Sequence, residues 1–200
     1  MSAKEIPRLL GEWKGYRIDT VGRFPAGDKG PEAEVWIELL PLHRIRMRCS
    51  CCGTLTSKVH DLVERRVSEL PILDAVTRLL VWRRRVRCPN CGPKLEELEW
   101  MGRYSRITKR LAESVGRLCK MATLSHVAEF FGLSWWRVKA IDKIYLSERL
   151  GPVDLSGVEV IAMDEFTILK GQRYAAVIKD PRTKRVLWVG RGRGRESTQR

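Results

Sequence analysis

Two short stretches, RCSCCG at residues 48–53 and RCPNCG at residues 87–92, decide how this chain folds. Each has two cysteines separated by two residues and followed by glycine. The four cysteines are Cys49, Cys52, Cys88 and Cys91. A two-residue separation lets one tight turn aim both sulfurs at the same point, and glycine lets the backbone fold back beneath a metal ion. Two such turns, with 35 residues between them, predict a zinc ribbon with a tetrahedral four-thiolate site.

Other nearby side chains offer alternative ligands. Cys51 could replace Cys52, but a single residue between it and Cys49 makes a poorer chelate, so we interpret Cys51 as a bystander. His43 and His60 could each replace a thiolate, although a surface or hydrogen-bonded role is the simpler interpretation. A redox role for the cysteine pairs is weaker, because two pairs in matched contexts favour a shared ion.

The charge of the chain is strongly positive. Lys and Arg number 38 against 24 Asp and Glu, which gives a formal net charge of +14 and a pI near 9.9. Residues 43–122, which hold all six cysteines, contribute +10 of that charge. Such a balance indicates a polyanionic partner, because basic side chains that neutralise phosphates release condensed counterions.

Alternating arginines lead into both cysteine pairs. They are Arg44, Arg46, Arg48, Arg83, Arg85 and Arg87. On a strand, every second residue shares a face, so we expect these six to form a rigid surface that follows DNA phosphates. A merely solvated strand face, which guards a sheet edge against aggregation, is the alternative.

Residues 124–143, LSHVAEFFGLSWWRVKAIDK, fit a helix-turn-helix. The pattern needs apolar residues at five inward positions, a small residue where the helices cross, glycine at the turn and a capping residue before the second helix. The chain supplies Val127, Phe131, Leu133, Val138, Ile141, Ala128, Gly132 and Ser134 at these positions. Basic residues on the second helix, Arg137, Lys139 and Lys143, then face outward toward DNA. The alternative is a purely structural helical pair, and we expect at least one of the adjacent tryptophans, Trp135 and Trp136, to contact a neighbour.

The remaining segments complete an α+β multi-domain chain. We predict N-terminal strands in residues 1–42, a small β-rich zinc ribbon in 43–100, and a linker helix with the helix-turn-helix in 101–150. From residue 158 a strand runs to 163 and ends at Asp164 and Glu165, followed by strands at 174–179 and 186–189. Neighbouring strand residues point to opposite faces, so these two acids cannot chelate one ion together. On this evidence alone, Asp164 is an ordinary residue at a strand end.

The order of the parts resembles one family. A C-x-x-C ribbon, a linker RYSRITKRLAESV, a helix-turn-helix and the run DEFTILKGQRY, with Asp164, Glu165, Lys170, Gly171 and Tyr174, are together similar to insertion-sequence transposases of bacteria and archaea. These carry an N-terminal zinc ribbon, a helix-turn-helix and a DDE catalytic domain of ribonuclease H-like fold. The resemblance extends over nearly the whole chain.

This resemblance carries several implications. The ribbon and helix-turn-helix would bind the terminal inverted repeats of the element as double-stranded DNA, with Arg106, Lys109 and Arg110 of the linker as further contacts. Residues 155–200 would be the first strands of an incomplete ribonuclease H-like domain, with Asp164 as its first catalytic metal ligand. Mg²⁺ would bind only if the full domain were present, because the second Asp and the Glu lie further downstream in the family. The chain therefore looks truncated, and we expect it to be inactive alone in strand transfer.

Two further expectations concern the cellular location of the protein and an alternative function. No apolar run approaches the ~18 residues of a membrane span, and the N-terminus is too charged for a secretory signal. We therefore expect a reducing cytoplasmic location, no membrane partner, and structural Zn²⁺ rather than disulfides. A second copy of the chain, forming a homo-oligomer, is a further candidate partner. The alternative function is a stand-alone zinc-dependent DNA-binding transcriptional regulator.

Overall fold

The computed structural model describes residues 13–24, 33–73, 75–102, 105–169 and 173–191. The chain divides into two units, Met1–Ser147 and Glu148–Arg200. The strands are β1 (Tyr16–Phe24), β2 (Glu34–Pro41), β3 (Met47–Arg48), β4 (Leu55–Thr56), β5 (Val59–Ile72), β6 (Ala75–Cys88), β7 (Gly92–Leu95), β8 (Ala162–Leu169), β9 (Arg173–Lys179) and β10 (Val186–Arg191). The helices are α1 (Lys109–Leu118), α2 (Leu124–Phe130) and α3 (Trp135–Leu150).

Strand β6 organises the first unit. From Ala75 to Val86 it pairs antiparallel with β5, forming a hairpin of two 14-residue strands. On its other edge, the first half pairs parallel with β2 and the last four residues pair antiparallel with β7. Strand β1 completes the sheet beside β2. The sequence segments 1–42 and 43–100 thus contribute strands to one sheet.

One apolar core lies against this sheet. The predicted alternation in β2 is found, because Val35, Ile37 and Leu39 are buried while the residues between them are only partly covered. From β6, Leu79 and Val81 join the same cluster. Alternation with a period of two follows from the strand geometry and buries one face of the sheet.

The three helices share a second core. The five predicted inward positions of the helix-turn-helix are all buried in it, together with Leu111 and Val115 of α1. Thr108 caps α1 by accepting a hydrogen bond from the N–H of Leu111, and Thr123 caps α2 in the same way. Gly132 at the turn has φ 58°, a conformation that costs glycine little and other residues more.

The second unit contains an antiparallel sheet of three strands in the order β10–β9–β8. The predicted strand at 158–163 was wrong in its bounds. Strand β8 begins at Ala162 and continues to Leu169, because the pairing with β9 extends to the hairpin end. Asp164 therefore lies within β8, opposite Val177, rather than at its end.

The predicted α+β class is confirmed, with a β-rich cysteine-bearing region followed by helices and a further small sheet. A three-stranded meander is common to many folds, so it does not establish the ribonuclease H-like assignment of the last strands.

Candidate metal centre and nucleic-acid interface

Four cysteine sulfurs converge at one end of the β5–β6 hairpin. Cys49, Cys52, Cys88 and Cys91 place their Sγ atoms all within 4.8 Å of one another. The closest approach given, between Cys52 and Cys88, is 3.5 Å. Four thiolates at about 2.3 Å from a central zinc ion lie about 3.8 Å apart in a tetrahedron. The donor set and its spacing therefore fit a closed zinc site.

The two turns have the same construction. The first follows β3, and in it the N–H of Gly53 donates to the carbonyl of Cys49 over 2.9 Å. The second joins β6 to β7. Each turn ends in a glycine with positive φ, 72° at Gly53 and 68° at Gly92. This left-handed conformation, which favours glycine, reverses the chain after each pair and leaves both sulfurs on the inner side.

The electrostatics of the cluster also fit a cation. The hydroxyl and backbone N–H of Thr54 lower the pKa of the Cys52 thiol to about 6. The pKa of Cys91 is raised, chiefly through its hydrogen bond with Cys52, and burial raises that of Cys88. The hydrogen bond to Cys52 thus favours the protonated form of Cys91, and burial disfavours the charged form of Cys88. A bound cation would favour the ionised form of all four thiols.

The remaining candidate ligands lie outside this four-sulfur group, although Cys51 forms a hydrogen bond with Cys91 that helps to raise the pKa of Cys91. Among the described residues, these four cysteines are the only group of three or more His, Cys, Asp or Glu side chains close enough together to hold a metal ion. Cys51 is exposed in the first turn, and His43 and His60 are exposed on the loop before β3 and on β5. Cys119 lies at the C-terminal cap of α1, where burial raises its thiol pKa.

The arginines before the first cysteine pair do not share a strand face. Strand β3 contains only Met47 and Arg48, whereas Arg44 and Arg46 lie in the loop that precedes it. All three arginines are exposed, and Arg44 has φ 60°. They form an exposed basic segment that leads into the first cysteine turn, rather than a regular ladder.

The arginines of β6 differ from one another in exposure. Arg87 is exposed, Arg85 is half-buried in a bidentate pair with Asp61, and Arg83 is only 3% exposed. Arg83 donates to the backbone carbonyl of Glu96. A buried guanidinium cannot reach a phosphate, so Arg83 does not belong to an exposed surface as the alternation had predicted. The cause is the chain after β7, which covers this part of β6.

Glu96 is a buried carboxylate that no sequence pattern distinguishes from its neighbours. Its Oε2 accepts from Arg84 Nε over 2.9 Å and forms an ion pair with Arg84 Nη2 at 2.8 Å, while Oε1 accepts from Tyr16. Burial, followed by the charge of Glu96, raises the pKa of Tyr16. The network ties β1, β6 and the segment after β7 together directly beside the metal centre.

A second buried carboxylate joins the sheet to the helices. Oε1 of Glu69 on β5 accepts from Thr108 Oγ1 and Arg110 Nε, each over 2.7 Å, and Oε2 accepts from Trp13 Nε1 over 3.0 Å. Arg78 of β6 adds a contact, donating through Nη1 to Ser68 Oγ over 2.7 Å and through Nη2 to the Gly132 carbonyl over 3.5 Å. Backbone hydrogen bonds of Ser68 with Arg106 and Thr108 complete the junction.

The predicted basic residues of the helices have different surroundings. Arg106 and Lys109 are exposed, whereas Arg110 is engaged by Glu69 and lies over the ring of Trp13. On α3 all three predicted contacts, Arg137, Lys139 and Lys143, are exposed. The buried side of that helix carries Val138, Ile141 and Tyr145. The exposed basic side of α3 is thus free of the helical core.

The two aspartates of the small sheet have different surroundings. Asp164 is exposed on β8. Asp180, at the end of β9, is buried and accepts from the Thr183 hydroxyl over 2.7 Å and from the N–H of Arg182 over 2.8 Å. These two hydrogen bonds lower the pKa of Asp180, and they fix the turn between β9 and β10. Asp180 therefore has a structural role in this turn.

Comparisons with known proteins match the two modules separately. The family model for the zinc-finger of transposase IS204/IS1001/IS1096/IS1165 matches residues 45–91, which include all four clustered cysteines. The model for the helix-turn-helix domain of transposase family ISL3 matches residues 96–145. No solved structure matches the chain.

Curated relatives match the chain over nearly its whole length. The transposase for insertion sequence element IS1001 from Bordetella parapertussis is 40% identical over 200 residues, all of this chain and 48% of that protein. Transposases for element IS1557 from two strains of Mycobacterium tuberculosis are 24% identical over 188 residues, 92% of this chain and 42% of each relative. The chain therefore spans about half the length of the curated relatives it matches. Within the described ranges, none of its helices is long and apolar enough to cross a membrane.

Proposed function

The chain belongs to the transposase family ISL3, and on that premise we propose that it is the DNA-binding part of a transposase and recognises the terminal inverted repeats of its insertion sequence. The observation that carries the proposal is the exposed basic side of α3, on a helix-turn-helix whose inward positions are all buried. The second helix of such a motif lies in the major groove, with its N-terminal residues at the base edges.

The metal centre has a structural role in this proposal. A Zn²⁺ ion held by the four clustered cysteines would supply the charge that lets all four thiols ionise and would fix both turns at the end of the hairpin. Thiolate ligands need reducing conditions, which agrees with a cytoplasmic location. Zinc of this kind contributes folding free energy and takes no part in chemistry.

The DNA-binding surface that we propose combines three exposed sets. Arg44, Arg46, Arg48 and Arg87 lie in the segments that lead into the two cysteine turns, Arg106 and Lys109 precede and open α1, and Arg137, Lys139 and Lys143 lie on α3. Arg83 is left out because it is buried, and Arg85 and Arg110 act mainly through their carboxylate partners. Phosphate contacts from the first two sets would position the duplex, while α3 would read bases.

The small sheet is proposed as the beginning of a catalytic domain of the DDE type, with Asp164 as one ligand of a two-Mg²⁺ site. The transposases it resembles are about twice as long, so the further carboxylates would come from the rest of such a protein. A single carboxylate does not bridge two metal ions, so we do not assign strand transfer to the described residues alone. Asp164→Ala is expected to leave DNA affinity unchanged, and a loss of more than about tenfold would contradict this assignment.

The proposal is tested with the zinc-loaded full chain and duplexes selected from a randomised pool. Binding should weaken steeply with salt, because each neutralised phosphate contributes about −0.9 to the slope of log K against log salt. The double variant Arg137→Ala/Lys143→Ala should lose affinity and slope, while Lys184→Ala, an exposed lysine of the other unit, should lose neither. A pool without any enriched duplex, or a flat salt response, would refute DNA recognition.

A further inference from the structure

Two tryptophans stand at the N-terminal start of α3, on its exposed side. Trp135 is 37% exposed and Trp136 is 73% exposed, although buried tryptophan is the ordinary case. Their rings contact each other edge to face, with centroids 4.8 Å apart and an interplanar angle of 88°. Both rings keep solvent-exposed area in the described unit, so the core does not account for them.

A lysine is held over this pair. Nζ of Lys139 lies 4.9 Å from the ring centroid of Trp135 and 5.6 Å from that of Trp136. The negative faces of the rings attract the ammonium group and restrict its position. An ammonium group has three donors, and the rings engage it only through their faces, so its hydrogen bonds remain available.

The exposed side of α3 carries these side chains. Successive helical residues are rotated by about 100°, so Trp136 and Lys143 lie opposite the buried residues Val138 and Ile141. Lys139 lies beside them on the exposed side, and Trp135 lies at the edge of that side. In the second helix of a helix-turn-helix, the first turns of this face meet the base edges. Trp136, which is strongly exposed at this place, and Trp135 at its side are therefore positioned to meet DNA.

We propose that Trp135, Trp136 and Lys139 form a base-reading cluster that recognises a thymine next to a guanine in the major groove; this rests on the proposed function and specifies its ligand. Among the base edges of the major groove, only thymine carries a methyl group, and apolar side chains contact it. Guanine offers the two acceptors O6 and N7, which suit an ammonium donor. The apolar rings and the positioned lysine match these two features side by side.

Base analogues test the proposal without changing the protein. In a duplex selected from a randomised pool by the zinc-loaded full chain, each thymine is replaced in turn by uracil, which lacks only the methyl group. At one or two positions the affinity should fall about fourfold, the value of one buried methyl group. At the neighbouring guanine, 7-deazaguanine removes the N7 acceptor and should also weaken binding.

Three variants connect these losses to the cluster. Trp136→Ala should bind thymine and uracil duplexes equally at the sensitive positions, and Lys139→Ala should lose the response to 7-deazaguanine. Phe130→Ala is the matched control, since Phe130 on α2 is an aromatic residue of similar exposure to Trp136, and it should retain both responses. Zinc content and circular dichroism establish that each variant is folded.

The outcomes separate this proposal from the previous one. A wild-type protein that binds its selected duplex but is indifferent to uracil at every position overturns the thymine assignment and leaves DNA recognition intact. A uracil response that persists in Trp136→Ala, or disappears in Phe130→Ala, assigns the methyl contact to other residues and overturns the cluster. Failure to select any duplex overturns both proposals together.

Discussion

The junction between the sheet and the helices gives the sharpest prediction for stability. In Glu69→Gln the amide oxygen can take the place of Oε1 and still accept from Thr108, but the amide nitrogen then takes the place of Oε2. That nitrogen is a donor, and it would face the Nε1–H of Trp13, which is also a donor. The substitution therefore removes one buried hydrogen bond and leaves its donor without an acceptor.

The size of the effect follows from these contacts. An unsatisfied buried donor costs about 1–3 kcal/mol. The loss of charge opposite Arg110 adds less than about 1 kcal/mol, because the Arg110 side chain is 36% exposed and solvent screens the pair. We expect the free energy of unfolding to fall by about 2–3 kcal/mol. In urea, with a slope of about 2 kcal/mol per molar, the midpoint should shift down by about 1 M.

The assay is urea unfolding of the zinc-saturated chain, followed by circular dichroism. Glu129→Gln, an exposed glutamate on α2, is the matched control and should shift the midpoint by less than about 0.2 M. Adding Trp13→Phe to Glu69→Gln removes the opposing donor, so the double variant should lose less stability than the two single changes summed. A midpoint for Glu69→Gln equal to that of the control would refute the role assigned to the buried carboxylate.

Three further predictions concern the metal centre, a helix contact and an ion pair. Cys88→Ser should abolish zinc binding and unfold the ribbon, whereas Cys51→Ser should keep one zinc per chain, as measured by metal analysis. Zinc retained by Cys88→Ser would contradict the four-thiolate site. Gly116→Ala should destabilise α1, although alanine favours helices, because the added Cβ would lie 2.2 Å from Cγ of Tyr145. A melting temperature above that of the wild type would refute this contact. The hydrogen bonds with Arg85 lower the pKa of Asp61, so the ionised carboxylate should stabilise the fold above the unfolded pKa near 4 and lose that effect as pH falls through the lowered folded pKa. Asp61→Asn should therefore be less stable than wild type at pH 7, and the difference should shrink as the pH falls below about 4. A difference independent of pH would contradict the assignment.

Local patterns in the sequence predicted the local parts of the structure. The spacing of Cys49 and Cys52, repeated at Cys88 and Cys91, is a property of a short turn and needs no knowledge of distant residues. The inward positions of the helix-turn-helix follow from helical periodicity in the same way. The parallel pairing of β2 with β6 left no such signal, because it joins residues about forty positions apart.

The surroundings of the charged residues could not be predicted from alternation. Arg83 and Arg87 share a strand face by periodicity, yet the chain after β7 buries the first and leaves the second exposed. Glu69 and Glu96 acquire their roles from donors 12 to 80 residues away. Sequence position gives the direction of a side chain, whereas its neighbours in space depend on the whole fold.

The length of the β5–β6 hairpin has a consequence for spacing on a duplex. From Arg78, which contacts the turn of the helix-turn-helix, to Cys88 at the metal centre, β6 runs ten residues. At about 3.4 Å per residue this is about 34 Å, close to one turn of B-form DNA. The hairpin would then set the distance between the zinc turns and the reading helix, so that both contact the same side of the double helix. Lengthening both strands by two residues would move one end by about 7 Å, or about two base pairs, and so alter which spacings a bound sequence can have.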